Sequence, residues 1–198
     1  GTTVRYRTKD AEEGEWSEWK DEAPSLTDVG KLWIEAKAEN SNYKTATVEY
    51  DLEVTTRPVT LTSATDSKPY DGTPLTKPEV TVGGDGFVDG EVSEIQATGT
   101  VTNVSEGEVV NTITFETSEK FKETNYSIQK YEGKLSITEA GTLGLHADLT
   151  GADAKKVYDG EALANGATPT VTDGTTVRYR TKDAEEGEWS EWKDEAPS

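Results

Sequence analysis

The sequence has 198 residues, with 39 acidic against 20 basic side chains and a formal net charge of −19 at neutral pH. That balance excludes nucleic acid and anionic membrane surfaces as expected partners, because both are held by clustered basic side chains. The lack of cysteine and the single histidine exclude disulfides, thiolate chemistry and His-rich metal centres.

Hydrophobic residues make up 32 % of the chain and charged residues 30 %. Such a composition borders on that of disordered chains. The apolar residues are not scattered, however. They alternate with polar ones in runs such as Leu32–Ala38 and Val48–Val54, the pattern of strands that bury one face. Cores built this way are thin and suit small modules. No apolar run approaches the ~20 residues needed to span a bilayer. There is no methionine and no signal or anchor segment. The chain is therefore expected to be a segment of a longer protein whose targeting signals lie elsewhere.

In chain order, Thr2–Thr8 alternates as a strand. Glu15–Lys20 returns beside it after the turn Asp10–Gly14, giving a hairpin with a longer loop. Lys31–Glu39 and Thr45–Val54 follow as strands. The next predicted strands are Val59–Ala64, Glu79–Val82, Glu91–Gly99, Val109–Glu116, Tyr126–Gln129 and Lys134–Thr138, with glycine turns at Gly83–Gly86 and Asp89-Gly90. Ser118–Thr124 allows one short helical turn at most. Leu143–Leu149 and Ala167–Thr172 are the last strands before a second hairpin. The fold class expected is all-β.

That second hairpin is a copy of the first. Residues 1–25, GTTVRYRTKDAEEGEWSEWKDEAPS, recur unchanged at 174–198, starting 173 residues later. A weaker repeat lies inside this period. Lys68-Pro-Tyr-Asp-Gly-Thr-Pro-Leu75 matches Lys156-Val-Tyr-Asp-Gly-Glu-Ala-Leu163 at an offset of 88, and Asn42-Tyr43 matches Asn125-Tyr126 at an offset of 83. Self-similarity at fixed spacing marks an array of structural units. Each unit opens near Tyr-Asp-Gly and closes with Asn-Tyr followed by a last alternating strand. Residues 1–57 thus read as the back part of one module type, 58–139 as a complete module of a second type, and 140–198 as the front part of the first type again. Modules cut in this way leave sheet edges to be completed. Completion by a neighbouring copy, head to tail, is expected, and would make open filaments unless it closes.

Tyr-Asp-Gly near the start, Asn-Tyr before the last strand and a closing Leu52-x-Val54-Thr55 or Leu135-x-Ile137-Thr138 resemble bacterial immunoglobulin-like and MBG-type tandem repeats of Gram-positive cell-surface adhesins. The resemblance covers nearly the whole chain. It implies tandem immunoglobulin-like β-sandwich modules, with a β-grasp-like module as the alternative. It also implies an extracellular, wall-attached stalk that spaces and displays a distal binding region. It carries no catalytic residue and no cofactor.

The candidate binding residues are Trp16 and Trp19, repeated as Trp189 and Trp192. Exposed indoles stack on sugars, so a weak glycan- or protein-binding repeat acting by avidity is the alternative to a purely structural one. The competing expectation is packing in a core or junction. Spacing of three puts the two indoles on opposite faces of a strand unless a bulge intervenes. The Asp-Gly of each Tyr-Asp-Gly is expected to be turn chemistry. The acidic clusters at Glu12–Glu15, Asp85–Asp89 and Glu106–Glu108 do not match a calcium loop. A Lys–Asn amide cross-link involving Lys68 or Lys156 and Asn111 would substitute for missing disulfides. His146 has no second histidine to work with, and no phosphate loop precedes a helix. The expectation is a protein that is not an enzyme and binds no metal.

Overall fold

The computed structural model describes residues 1–147, 155–163 and 166–196. The far end of the predicted strand Leu143–Leu149 lies outside the described residues. The architecture is all-β, in several small sheets; among the described residues there is no α-helix and only two single-turn 3-10 segments. The chain divides into two compact units, Gly1–Glu139 and Ala140–Ser198.

The first unit begins with an antiparallel sheet of β1 (Thr3–Lys9), β2 (Gly30–Asn40) and β3 (Tyr43–Val54), in that spatial order. The alternation seen in the sequence sorts its two faces. Register places Val4, Leu32, Ile34, Ala36, Val48, Tyr50 and Leu52 on one face. Arg7, Lys9, Trp33, Glu35 and Lys37 lie on the other. Ile34 is buried to 1 % exposure, yet Val48 and Tyr50 on the same face remain 57 % and 41 % exposed.

The remaining strands of this unit are β4 (Arg57–Ser63), β5 (Asp66–Pro69), β6 (Leu75–Thr76), β7 (Val80–Gly84), β8 (Val92–Ala97), β9 (Thr100–Val101), β10 (Val109–Val110), β11 (Ile113–Thr117), β12 (Tyr126–Tyr131) and β13 (Lys134–Thr138). They form a module closed by its own ends. Its first strand β4 lies between β7, antiparallel, and β12, parallel. Likewise β5 lies parallel to β13. Val59 and Leu61 of β4 pack with Ile113, Tyr126, Phe87, Phe115 and Phe121. All three phenylalanines of the protein are in this cluster, at centroid separations of 5.5–6.5 Å from one another. A second cluster joins Leu75, Val101, Leu135 and Ile137. Burying a side chain of this size stabilises by roughly 1.5–3 kcal/mol, so two clusters of this extent hold the module without a disulfide.

Three details depart from the sequence reading. Glu15–Lys20 is not a regular strand. Only Tyr6 and Lys20 bridge, exchanging both backbone hydrogen bonds at 2.7 Å. Val109–Glu116 is broken into β10 and β11 because Asn111 between them is fully buried and bonds sideways. A bulge in β8 carries Glu94 at φ +51°, where Glu94 and Ile95 together face the single residue Phe115 of β11.

In the second unit, β14 (Leu145–Ala147) pairs antiparallel with β15 (Ala167–Pro169). The predicted strand Ala167–Thr172 is thus shortened. The repeated hairpin keeps one bridge, Tyr179 to Lys193, and no longer strand.

Candidate functional site

The segment 15–20 runs antiparallel to β1 with one residue too many. Lys20 is bonded to Tyr6, but two residues further along β1 it is Ser17, not Glu18, that meets Thr8. The Ser17 N–H donates to the Thr8 carbonyl (2.8 Å), and the Ser17 hydroxyl accepts the Thr8 N–H (3.0 Å). This slip swings Trp16 and Trp19 to the same side of the sheet. The Arg7 guanidinium lies over both rings, 5.1 Å from Trp16 and 4.8 Å from Trp19. Lys9 stands 5.0 Å over Trp16 and Lys37 4.4 Å over Trp19. The result is a ladder of alternating cations and indoles, anchored by an ion pair between Arg7 and Glu35 directly across the β1–β2 register. Both candidate binding residues are therefore brought together, half-buried, with each ring already facing two cations.

The second copy of the hairpin is a control within one chain. Arg180 lies 4.7 Å from both Trp189 and Trp192, and Lys182 lies 5.2 Å over Trp189. Arg178 pairs with Asp194 at 2.9 Å as Arg5 pairs with Asp21 at 3.0 Å. The Ser190–Thr181 bond repeats Ser17–Thr8. Among the described residues no neighbour strand stands where β2 supplies Glu35 and Lys37 to the first copy. Trp189 and Trp192 are 51 % and 56 % exposed, and among the described residues the hairpin forms no regular strand.

The Tyr-Asp-Gly repeat is also rebuilt in both places. Lys68 reaches Asp71 and Lys156 reaches Asp159, each at 2.9 Å. The Asp71 carboxylate accepts the Thr73 N–H as Asp159 accepts that of Glu161, both at 2.9 Å. Gly72 and Gly160 take φ of +81° and +86°, which glycine adopts without strain. The Lys68 and Thr73 bonds hold the Asp71 carboxyl well below the usual carboxylate range. Both lysines proposed for an amide cross-link are thus engaged in this turn. Asn111 has other partners: its Oδ1 accepts the Gly99 N–H (3.0 Å), and its Nδ2 donates to the Lys77 and Ala64 carbonyls (2.9 and 3.2 Å).

The β1–β3 sheet meets the following module at a clasp the sequence reading did not foresee. The Asn125 Oδ1 accepts the Val29 N–H (2.9 Å) and its Nδ2 donates to Asp28 (2.9 Å). The Lys122 ammonium reaches the other Asp28 oxygen at 2.6 Å. Asn125 and then Lys122 hold the Asp28 carboxyl below its ordinary value. Beside the clasp is a cavity of about 550 Å³, lined in part by Val29, Val54, Arg57, Val88 and Tyr126. The Tyr126 hydroxyl donates to Glu91 and accepts the Val88 N–H; burial, then Glu91, raises its pKa. The one signal available in the sequence was the Asn of the Asn-Tyr motif, whose repetition gave no partner. Among the described residues no three His, Asp or Glu side chains gather as metal ligands, and no helix is long and apolar enough to cross a membrane.

No family model, curated protein or solved structure matches this chain.

Proposed function

We propose that this chain is a structural repeat segment of an extracellular bacterial surface stalk or adhesin, built from tandem immunoglobulin-like modules that space a distal binding region. The observation that carries the reading is the unchanged 25-residue segment at a 173-residue interval, with its arginine–tryptophan ladder formed in both copies. A repeated unit whose stabilising contacts are local and whose seams are hydrogen-bonded suits a linear array, in which each unit touches only its neighbours. The Asp28–Asn125–Lys122 clasp supports a fixed rather than swivelling seam. The absence of cysteine is compatible with cores that stand alone outside the cell.

The reading is tested in the producing organism. Antibodies raised against this chain should label intact, unpermeabilised cells, and proteins spanning two and four of the 173-residue periods should differ about twofold in maximum dimension by small-angle scattering, since solenoid-like arrays grow in proportion to repeat number. An intracellular antigen, or a compact particle whose dimension barely changes, would end it.

A further inference from the structure

The complete module contains an interface that is present in the first unit only once, although the sequence encodes it twice. In that module β4 adds in parallel to the edge of β12, the strand that begins at Tyr126 of the Asn-Tyr motif, with Tyr126 opposite Arg57 and Ile128 opposite Val59. A few residues on, β5 adds in parallel to β13, with Ser136 opposite Ser67. The first unit holds a second strand of the same kind. β3 also begins at the Tyr of an Asn-Tyr pair and runs into the matching Leu-x-Val-Thr, but among the described residues it pairs only with β2 and leaves its other edge open.

The sequence of β4 also has a counterpart. Leu149-Thr-Gly-Ala152 and Lys156–Leu163 repeat Leu61-Thr-Ser-Ala64 and Lys68–Leu75 at the offset of 88. β14 has β15 antiparallel on one edge, as β4 has β7, though in a shifted register; among the described residues nothing pairs with its other edge. Residues 155–158 lead into the same lysine–aspartate turn as β5 does, yet among the described residues they have no strand partner. There Val157 and Tyr158 are 88 % and 92 % exposed, against 45 % for Tyr70.

We infer that the open edge of β3 receives residues 145–147 and 155–157 of a second copy of this chain, in parallel and in the register of the complete module. Shifting the observed pairs by the two offsets sets Lys44 opposite His146, Thr45 opposite Ala147, Glu53 opposite Lys155 and Val54 opposite Lys156. The Glu53–Lys155 pairing brings opposite charges together; Glu53 has only a long 3.8 Å contact to Lys31 in the present structure. The added strand would also extend the half-open layer that leaves Val48 and Tyr50 exposed. Strand addition of this kind satisfies a row of unpaired backbone groups along an edge. Because donor and acceptor segments differ, each copy uses one of each, and the contact propagates head to tail. This inference deepens the stalk reading and rests on its repeat logic.

The protein has no cysteine of its own, so engineered ones report directly. Four full-length variants, K44C, E53C, H146C and K155C, are mixed in donor–acceptor pairs, one partner carrying a mass tag, and oxidised mildly. A bridge requires Cα atoms within about 7 Å. The in-register mixtures K44C with H146C and E53C with K155C should give the mixed species at twice the 21.5 kDa chain mass. The crossed mixtures K44C with K155C and E53C with H146C should not. Equal yields in all four mixtures, yields only in the crossed ones, or no mixed species at any concentration would overturn the inference. Cell-surface labelling is read separately, so loss of this contact leaves the stalk reading standing, and loss of surface display leaves this contact standing.

Discussion

Asn111 shows how one side chain can fix a boundary between two cores. It is fully buried, and its carbonyl accepts the Ser63 hydroxyl at 2.6 Å while its side chain satisfies Gly99, Lys77 and Ala64. Removing a buried partner strands the groups it satisfied. Asn111→Ala should therefore lower stability by about 2–4 kcal/mol, read as a drop in the urea midpoint with an unchanged slope. Gly133 is fixed by a different constraint: a Cβ there would sit 2.3 Å from the Ala64 carbonyl oxygen. At the clasp the pH-dependent residue is Asp28. Its folded pKa is depressed by Asn125 and Lys122, so the clasp contributes fully above the unfolded value near 4 and is lost as pH falls through the lower folded value. Acidification should shift the Val29 and Asn125 amide resonances together while the Phe87–Phe115 cluster stays unchanged; Asp28→Asn should abolish that titration.

At the scale of elements, the two hairpins separate local from tertiary contributions. Both form the arginine–tryptophan ladder, so its geometry belongs to the 25-residue segment. Only the first copy becomes a regular strand, because β2 supplies a register of seven paired residues and the Glu35 and Lys37 partners. Truncating an indole should then cost differently in the two places. Trp19→Ala should lower the stability of the first unit by about 1–3 kcal/mol, less than the 3–5 kcal/mol of a fully buried tryptophan. Trp192→Ala, at an exposed position, should stay within about 0.5 kcal/mol. Chemical denaturation of the two variants gives the comparison. Equal losses would mean that β2 adds nothing to the ladder.

For the whole molecule, the net charge of −19 sets the conditions under which copies can meet. Like-charged chains repel over a Debye length of about 30 Å at 0.01 M salt and about 8 Å at 0.15 M. Head-to-tail association should therefore strengthen as salt rises through this range, the reverse of a contact dominated by opposite charges; sedimentation velocity at the two ionic strengths measures it. Screening should act on the rate and extent of association but leave the in-register cysteine pairs as the ones that link.

The sequence by itself determined the all-β class, most strand positions, the Tyr-Asp-Gly turns and the repeat, because each rests on short-range patterning: alternation, glycine at positive φ and carboxylate–amide bonds a few residues apart. It set Trp16 and Trp19 three residues apart, which in a regular strand puts them on opposite faces, and did not reveal the bulge that brings them together. That slip depends on Ser17 offering its hydroxyl in place of a carbonyl to Thr8, one of several options open to a six-residue return. Only the tertiary structure decided the parallel pairing of first with last strands, the role of Asn111 and the Asp28–Asn125 clasp. Those contacts join residues some 50 to 100 positions apart in the sequence, and alternation along a strand says which face is buried but carries no record of which distant edge will lie beside it.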